Sequence, residues 1–492
     1  MLTNNNSIAV SDRQIQDAQT CIHRVRLDLY GDHAFRAEEN AFVQMLWRNS
    51  MDNVLATLSS VGNAHNISGL PDNDLLAATL DAMYRQEPLI FGGLLLTERG
   101  RANPSFLVRD GLSYFPGKVV GHLENTVSVS AMLSLAHAVA LLGELGFGNA
   151  ERHVILFDKS GQRKTLSLNA QRSITSPATW WDAYKESLSS VLPVVGGEAK
   201  TLPALCASCK LCCWQQLCTS VVKENNDLSL VPELGRNKRD LLMTAFPTVK
   251  DLSEANLRQF IKGKKTVFEG IGIKTLEKFQ ARARLLSDPT STPYLKEPVE
   301  LPVALKEVMF DIEADPLSNI VYLHGFIERE YGRPETEKFI DFFVEAGDET
   351  SEAECFSGAW AYLNARMADS TIYYYSSYEK TAYKALAKKY PFVCSVHDVE
   401  AMFESNELID LYSVVRQKTE WPTNDHSIKT LAVYLGFKWR DECPSGANSI
   451  EWYSRWISTG DTSIRERIRL YNEDDCKATA VVLDGLRRMT LH

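Results

Sequence analysis

The chain has 492 residues, 45% of them hydrophobic and 24% charged, and a formal net charge of −10. That length suits about three domains of ordinary size, and the composition is globular rather than disordered or membrane-embedded. The acidic balance excludes a protein coated in basic charge, so any polyanion must be bound by a local patch. The start, Met1 to Gln14, is polar and lacks the basic-then-apolar pattern of an export signal, which makes a cytoplasmic location the expectation.

From Asp17 to Leu58, apolar residues recur at helical spacing between charged faces, and the segment reads as helix. Gly92-Gly-Leu-Leu-Leu-Thr and Ser105-Phe-Leu-Val-Arg-Asp-Gly-Leu-Ser-Tyr-Phe-Pro-Gly read as a strand, then a strand and a turn into a third. The most apolar run, Val127 to Phe147, contains His137 and Glu144, which would be costly in lipid, so it reads as a buried helix rather than a membrane span. Val154-Ile-Leu-Phe reads as a further strand.

The stretch Cys206-Ala-Ser-Cys209-Lys-Leu-Cys212-Cys213-Trp-Gln-Gln-Leu-Cys218 holds five of the ten cysteines. Neighbours this close cannot close several unstrained disulfides, but thiolates around a short turn converge readily on one metal or one iron–sulfur cluster. Cys209-x2-Cys212-x5-Cys218 supplies three ligands, and the fourth comes from Cys206, Cys213 or the distant Cys21. The isolated Cys355, Cys394, Cys443 and Cys476 read as neutral thiols in a reducing compartment.

Between Lys223 and Leu286 there are 13 Lys and Arg against 8 Asp and Glu, a local charge of +5 within an acidic chain. Leu228 to Gly235 leads into Arg236-Asn-Lys-Arg-Asp-Leu-Leu, and Phe268-Glu-Gly270-Ile-Gly272 leads into Lys274-Thr-Leu-Glu-Lys278-Phe. A glycine turn at a helix start lets backbone N–H groups approach a phosphate, with lysines beside them. Both turns resemble those of helix-hairpin-helix units, which implies nucleic-acid binding through Gly270, Gly272, Lys274 and Lys278. Asp288-Pro-Thr-Ser-Thr-Pro-Tyr-Leu-Lys-Glu-Pro reads as an extended linker.

Glu307-Val-Met-Phe-Asp311-Ile-Glu313 is an apolar strand ending in two acids, which strand alternation turns to one face and toward one cation. A further acid, Glu379, follows the strand-like Ile372-Tyr-Tyr-Tyr. In Ile468-Arg-Leu-Tyr471-Asn-Glu-Asp-Asp475, Tyr471 and Asp475 share a helix face.

Two family resemblances join these motifs. A remote N-terminal cysteine followed by C-x2-C-x5-C resembles the RecB-like nucleases of the AddAB and CRISPR-associated types, of the PD-(D/E)XK fold. The resemblance implies a [4Fe-4S] cluster on Cys21, Cys209, Cys212 and Cys218; without it, the alternative is a zinc knuckle of Cys206, Cys209, Cys212 or Cys213, and Cys218. Those nucleases hold their metal with an Asp and an acid-x-Lys pair, whereas Ser105, Lys118 and Val120 occupy the corresponding positions here. The module is therefore expected to be degenerate, retaining the fold but not the catalytic metal.

The order D-x-E, acid, Y-x3-D resembles the DEDDy branch of RNase H-like exonucleases, and most of all the YprB-type domain fused to RecB-like domains. It implies that Asp311, Glu313 and Asp475 hold Mg²⁺ or Mn²⁺ and that Tyr471 orients the attacking water. Typical members carry Asp where Glu379 stands, and Asp410 in Leu408-Ile-Asp is the alternative acid.

The expected architecture is a multidomain α/β protein. It comprises a degenerate RecB-like module (1–222), a small all-α helix-hairpin-helix module (223–287), a linker (288–300) and an RNase H-like domain (301–492). The expected function is 3′–5′ exonucleolytic hydrolysis of single-stranded or frayed DNA or RNA, without a membrane partner. The alternative is a non-catalytic protein that binds nucleic-acid ends.

Overall fold

The computed structural model describes residues 9–121, 123, 127–173 and 176–491. The chain divides into two compact units, one of residues 1–203 and 207–219 and the other of residues 204–206 and 220–492.

The first unit is built on a six-stranded sheet. Its order is His65–Asn66, Leu89–Phe91, Phe106–Asp110, Ser113–Val119, His153–Phe157 and Arg163–Ser167. Ser113–Val119 and His153–Phe157 pair in parallel, and the helix Val129–Glu144 makes the crossover between them. That helix is apolar nearly all round because it is buried nearly all round. His137 is tolerated within it because both ring nitrogens are engaged, Nδ1 with the Tyr184 hydroxyl at 3.0 Å and Nε2 with the Val10 carbonyl at 2.9 Å.

The helix expected from Asp17 to Leu58 is in fact two, Asp12–Tyr30 and Ala41–Val61. Gly31 ends the first, where a Cβ would lie 2.5 Å from the Leu27 carbonyl oxygen, and the Asn40 side chain caps the second.

In the second unit, helices Gly235–Leu242, Val249–Glu254 and Ile273–Ser287 close around Leu234, Leu242, Phe246, Leu252, Leu276 and Phe279. The all-α expectation needs correction. Ile261–Lys262 and Lys265–Thr266 form an antiparallel hairpin, turned at Gly263 with φ of +63°. The linker is also more than a spacer, since Tyr294–Leu295 pairs antiparallel with Thr419–Glu420. Arg282, 1% exposed, fastens the helical segment to the sheet domain that follows. Its guanidinium donates to Glu420 Oε2 at 2.8 Å and Glu233 Oε2 at 3.0 Å.

That domain holds a five-stranded sheet of β1 (Lys306–Asp315), β2 (Ile320–Glu330), β3 (Lys338–Phe343), β4 (Ser370–Tyr374) and β5 (Leu408–Asp410), in the order β3-β2-β1-β4-β5. The β1–β2 and β2–β3 pairs are antiparallel, and β1–β4 and β4–β5 are parallel. One face carries α1 (Glu349–Arg366) and α2 (Tyr378–Lys389). The other carries α3 (Ile428–Tyr434) and the long α5 (Thr462–Arg488), which follows α4 (Gly446–Thr459). No described helix is long and apolar enough to cross a membrane.

Candidate active site

Strand β1 sorts its side chains by parity. Val308, Phe310 and Ile312 join the core beneath α1 and α2, whereas Met309 joins the core beneath α5. Asp311 and Glu313 share the parity of Met309 and so face α5. There Tyr471 and Asp475, one turn apart, come down to meet them. One carboxylate oxygen each of Asp311, Glu313 and Asp475 lies within 4.8 Å of the other two.

Neighbouring side chains fix these acids. Asn472 Nδ2 donates to Asp311 Oδ2 at 2.7 Å, and Trp439 Nε1 donates to Asp475 Oδ1 at 2.7 Å. Tyr471 lies beside Asp475 and favours its ionised form. Lys429, on α3, donates to the Tyr471 hydroxyl at 2.6 Å and to the Pro444 carbonyl at 2.8 Å. Gly325 of β2, directly opposite Asp311, makes room for this arrangement, because a Cβ there would sit 1.6 Å from Asn472 Oδ1.

Glu379 lies in the first turn of α2, and its side chain is 3% exposed. The turn before it is strained, with Ser376 at φ of +137°, a region that side-chain-bearing residues rarely occupy. Ser376 Oγ donates to Glu379 Oε2 at 3.4 Å and accepts from the Tyr378 N–H at 3.1 Å. The alternative acid, Asp410, lies near enough to Glu379 for its charge to act on that carboxyl. It caps the helix Leu411–Lys418, accepting from the Ser413 N–H at 3.2 Å.

The electrostatics are those of crowded acids. Burial, then the charges of Asp475, Glu313 and Glu379, hold the Asp311 carboxyl well above its ordinary range. Burial and then Asp475 push Glu313 up to about 8, and burial with Asp410 pushes Glu379 up to about 8. Asp475 is raised by burial. Lys429 opposes the shift at Asp311, Glu313 and Asp475. Oxygen ligands arranged this way suit a hard divalent cation, whose charge would remove the repulsion. Among the described residues this is the one group of metal-ligating side chains so close together.

Lys429, Trp439, Asn472 and Gly325 were not anticipated from sequence. Asn472 stands beside Tyr471 in the quoted motif, and its position there was the one available signal. The others carry no motif and are identified only by their contacts.

In the first unit, the helix Asp12–Tyr30 loses helical geometry at Cys21, where φ is −159° and ψ is 105°. Cys21 lies near enough to Cys212 for its charge to act on that thiol, which burial chiefly raises. Trp214, fully buried, holds the cysteine segment to the same helix through Nε1 to Asp28 Oδ1 at 2.7 Å. Ser105 and Lys118 line one cavity of about 140 Å³, together with Asp12, Gln16, Asn103 and Ser134. Asp12 is the single carboxylate among its lining residues, and burial lowers the Lys118 pKa. Val120 packs instead with the apolar core.

In the helical segment, Gly270 takes φ of +72° and Gly272 caps the helix that carries Lys274 and Lys278. Lys278 is engaged with Glu233 Oε2 at 2.8 Å, while Lys274 is exposed.

A search among curated proteins gives no match. Residues 308–487 match the family model described as the RNase_H superfamily. The match spans the five-stranded sheet and most of α5, the elements that carry the acids, so residues 308–487 form an RNase H-like domain.

Proposed function

We propose that this chain is a metal-dependent nuclease, a 3′–5′ exonuclease of the DEDDy type acting on single-stranded or frayed DNA or RNA. The observation that carries this reading is the trio of half-buried Asp311 and buried Glu313 and Asp475, with oxygens mutually within 4.8 Å and Tyr471 beside them. These three acids would hold Mg²⁺ or Mn²⁺, with Glu379 completing the set. When bound, the metal supplies Lewis-acid polarisation of the phosphoryl group and an acidified water. The Tyr471 hydroxyl would orient a water at the site, and Lys429 holds that hydroxyl by donating to it. None of these groups reads a base, so the site suits the DNA and the RNA backbone alike.

The test is degradation of a 5′-labelled oligonucleotide by the purified protein with Mn²⁺ or Mg²⁺. A ladder shortening from the 3′ end, lost in EDTA and in Asp311→Ala, is the expected result. A wild-type protein that binds the oligonucleotide but never shortens it would leave a non-catalytic end-binding protein.

We also propose that Cys21, Cys209, Cys212 and Cys218 hold a [4Fe-4S] cluster. The break of the helix at Cys21 and the proximity of Cys21 to Cys212 support this set over a purely local zinc site. Iron and sulfide in equal amounts in anaerobically purified protein, both lost in Cys21→Ala, are expected, and zinc without iron would refute the cluster. The single carboxylate at the Ser105–Lys118 cavity supports a first unit without catalytic metal. Gly270, Gly272 and Lys274 are proposed phosphate contacts, with Lys278 held back by Glu233.

A further inference from the structure

The helical segment contains two kinds of cation. Arg239 is bound to Asp227 at 2.5 Å, Lys278 to Glu233, and Arg282 to Glu233 and Glu420, so each has a structural task. Between Asn256 and Lys274 the pattern reverses. Arg258, Lys262, Lys264, Lys265 and Lys274 face a single carboxylate, Glu269. All five are exposed, and their side chains make no ion pair or hydrogen bond with any described residue.

Three of these cations sit on the hairpin. Its register places Lys262 directly opposite Lys265 across the turn Gly263-Lys264. Like charges at opposed positions of an antiparallel pair destabilise it, and an isolated two-stranded hairpin is marginal in water. This hairpin is instead propped from beneath. Phe260 stacks on Phe268 with centroids 5.5 Å apart, Phe246 packs against both, and the Val267 N–H donates to the Phe260 carbonyl at 2.9 Å. The Thr266 hydroxyl donates to the Ile271 carbonyl at 2.5 Å, tying the hairpin to the glycine turn from which Lys274 and its helix begin. A rigid pedestal thus presents concentrated, uncompensated positive charge in a chain whose net charge is −10.

We propose that the hairpin Ile261–Thr266, with Arg258 and Lys274 beside it, is an arm that grips the phosphodiester backbone of single-stranded nucleic acid without reading its bases. This rests on the nuclease reading above and extends the phosphate contacts proposed at Gly270, Gly272 and Lys274 to the hairpin and to Arg258. Phosphates relieve the Lys262–Lys265 repulsion that the fold leaves unrelieved, and the glycine turn supplies backbone N–H groups alongside.

The experiment uses the full chain carrying Asp311→Asn, in EDTA, with fluorescein-labelled oligothymidylate and oligouridylate read by anisotropy across a salt series. The variant Lys262→Ser, Lys264→Ser, Lys265→Ser should weaken both probes alike. It should also reduce the slope of log affinity against log salt by about 2, since each single-strand phosphate contact contributes ~0.7. Its thermal midpoint should equal or exceed that of its parent because the repulsion is gone. Lys264→Glu alone should act in the same direction, which guards against a folding defect in the triple variant. An unchanged affinity and salt slope in both variants would overturn the proposal. So would an effect seen on vesicles of anionic phospholipid but not on oligonucleotides. If the wild type fails to hydrolyse oligonucleotides while the triple variant still loses affinity, the catalytic reading falls and the arm stands. If hydrolysis depends on Asp311 while the hairpin variants bind normally, the arm alone falls.

Discussion

Lys429 Nζ donates to the Tyr471 hydroxyl at 2.6 Å, and Tyr471 stands one helical turn before Asp475, whose ionised form it favours. The phenol is thereby oriented by an amine that donates to it, beside the Asp475 carboxylate. Tyr471→Phe should lower the hydrolysis rate by about 10²-fold, the scale of a positioned proton-handling group. Lys429→Met should cause a comparable loss, and the double variant should be scarcely worse than either single one, because both remove the same oriented hydroxyl. Losses that multiply in single-turnover rates would show that the two residues act separately.

Gly325 and Asn472 form a second dependent pair. A Cβ at position 325 would fall 1.6 Å from Asn472 Oδ1, and Asn472 is fully buried, so it has nowhere to move. Gly325→Ala should cost about 1–3 kcal/mol through overpacking and should impair hydrolysis by dislodging the Asn472 bond to Asp311. Asn472→Ala in the Gly325→Ala background should restore part of the stability but none of the activity. Thermal midpoints and initial rates of the three variants check this, and full activity in Gly325→Ala would contradict the packing.

The acids make a pH prediction whose sign is fixed by linkage. Glu313 and Glu379 rise from an unfolded value of 4.5 to about 8 in the folded chain. A raised folded pKa contributes stability that is fully present below the unfolded value and is lost as pH rises through the folded one. Metal-free protein should therefore lose thermal stability between about pH 5 and pH 8, and Mn²⁺ should restore it at pH 8 by neutralising the ionised acids. Asp311→Asn should flatten the pH dependence in EDTA and weaken the response to Mn²⁺. A metal-free midpoint that rises over that interval would contradict the crowding of the acids.

Glu379 and Asp410 separate by what each removal breaks. Asp410 serves as a helix cap, so Asp410→Ala should cost about 1 kcal/mol of stability with activity largely kept. Glu379 acts electrostatically on Asp311, so Glu379→Ala should lower the rate on the order of 10²-fold or more, at least what a lost outer partner costs a metal site. Denaturation midpoints set against rates will show the opposite pattern if Asp410 is the acid that completes the site.

The sequence by itself determined the local facts. Parity in Phe310-Asp311-Ile312-Glu313 put two acids on one strand face, and the spacing of Tyr471 and Asp475 put those two on one helix face, because both periods are backbone geometry. The buried helix within Val127–Phe147 was legible for the same kind of reason, as apolar residues on every side leave it nowhere but a core.

What the sequence could not determine is which separate segments meet. Lys429 stands 42 positions from Tyr471, and Gly325 stands across a strand pair from Asp311. Nothing in the composition of either neighbourhood marks the meeting. The hairpin at Gly263 was likewise hidden, since a single glycine permits several backbones. Tertiary packing chose among these local options. It also raised the pKa of the acids, because burial and mutual repulsion exist only once strand β1, helix α2 and helix α5 have come together.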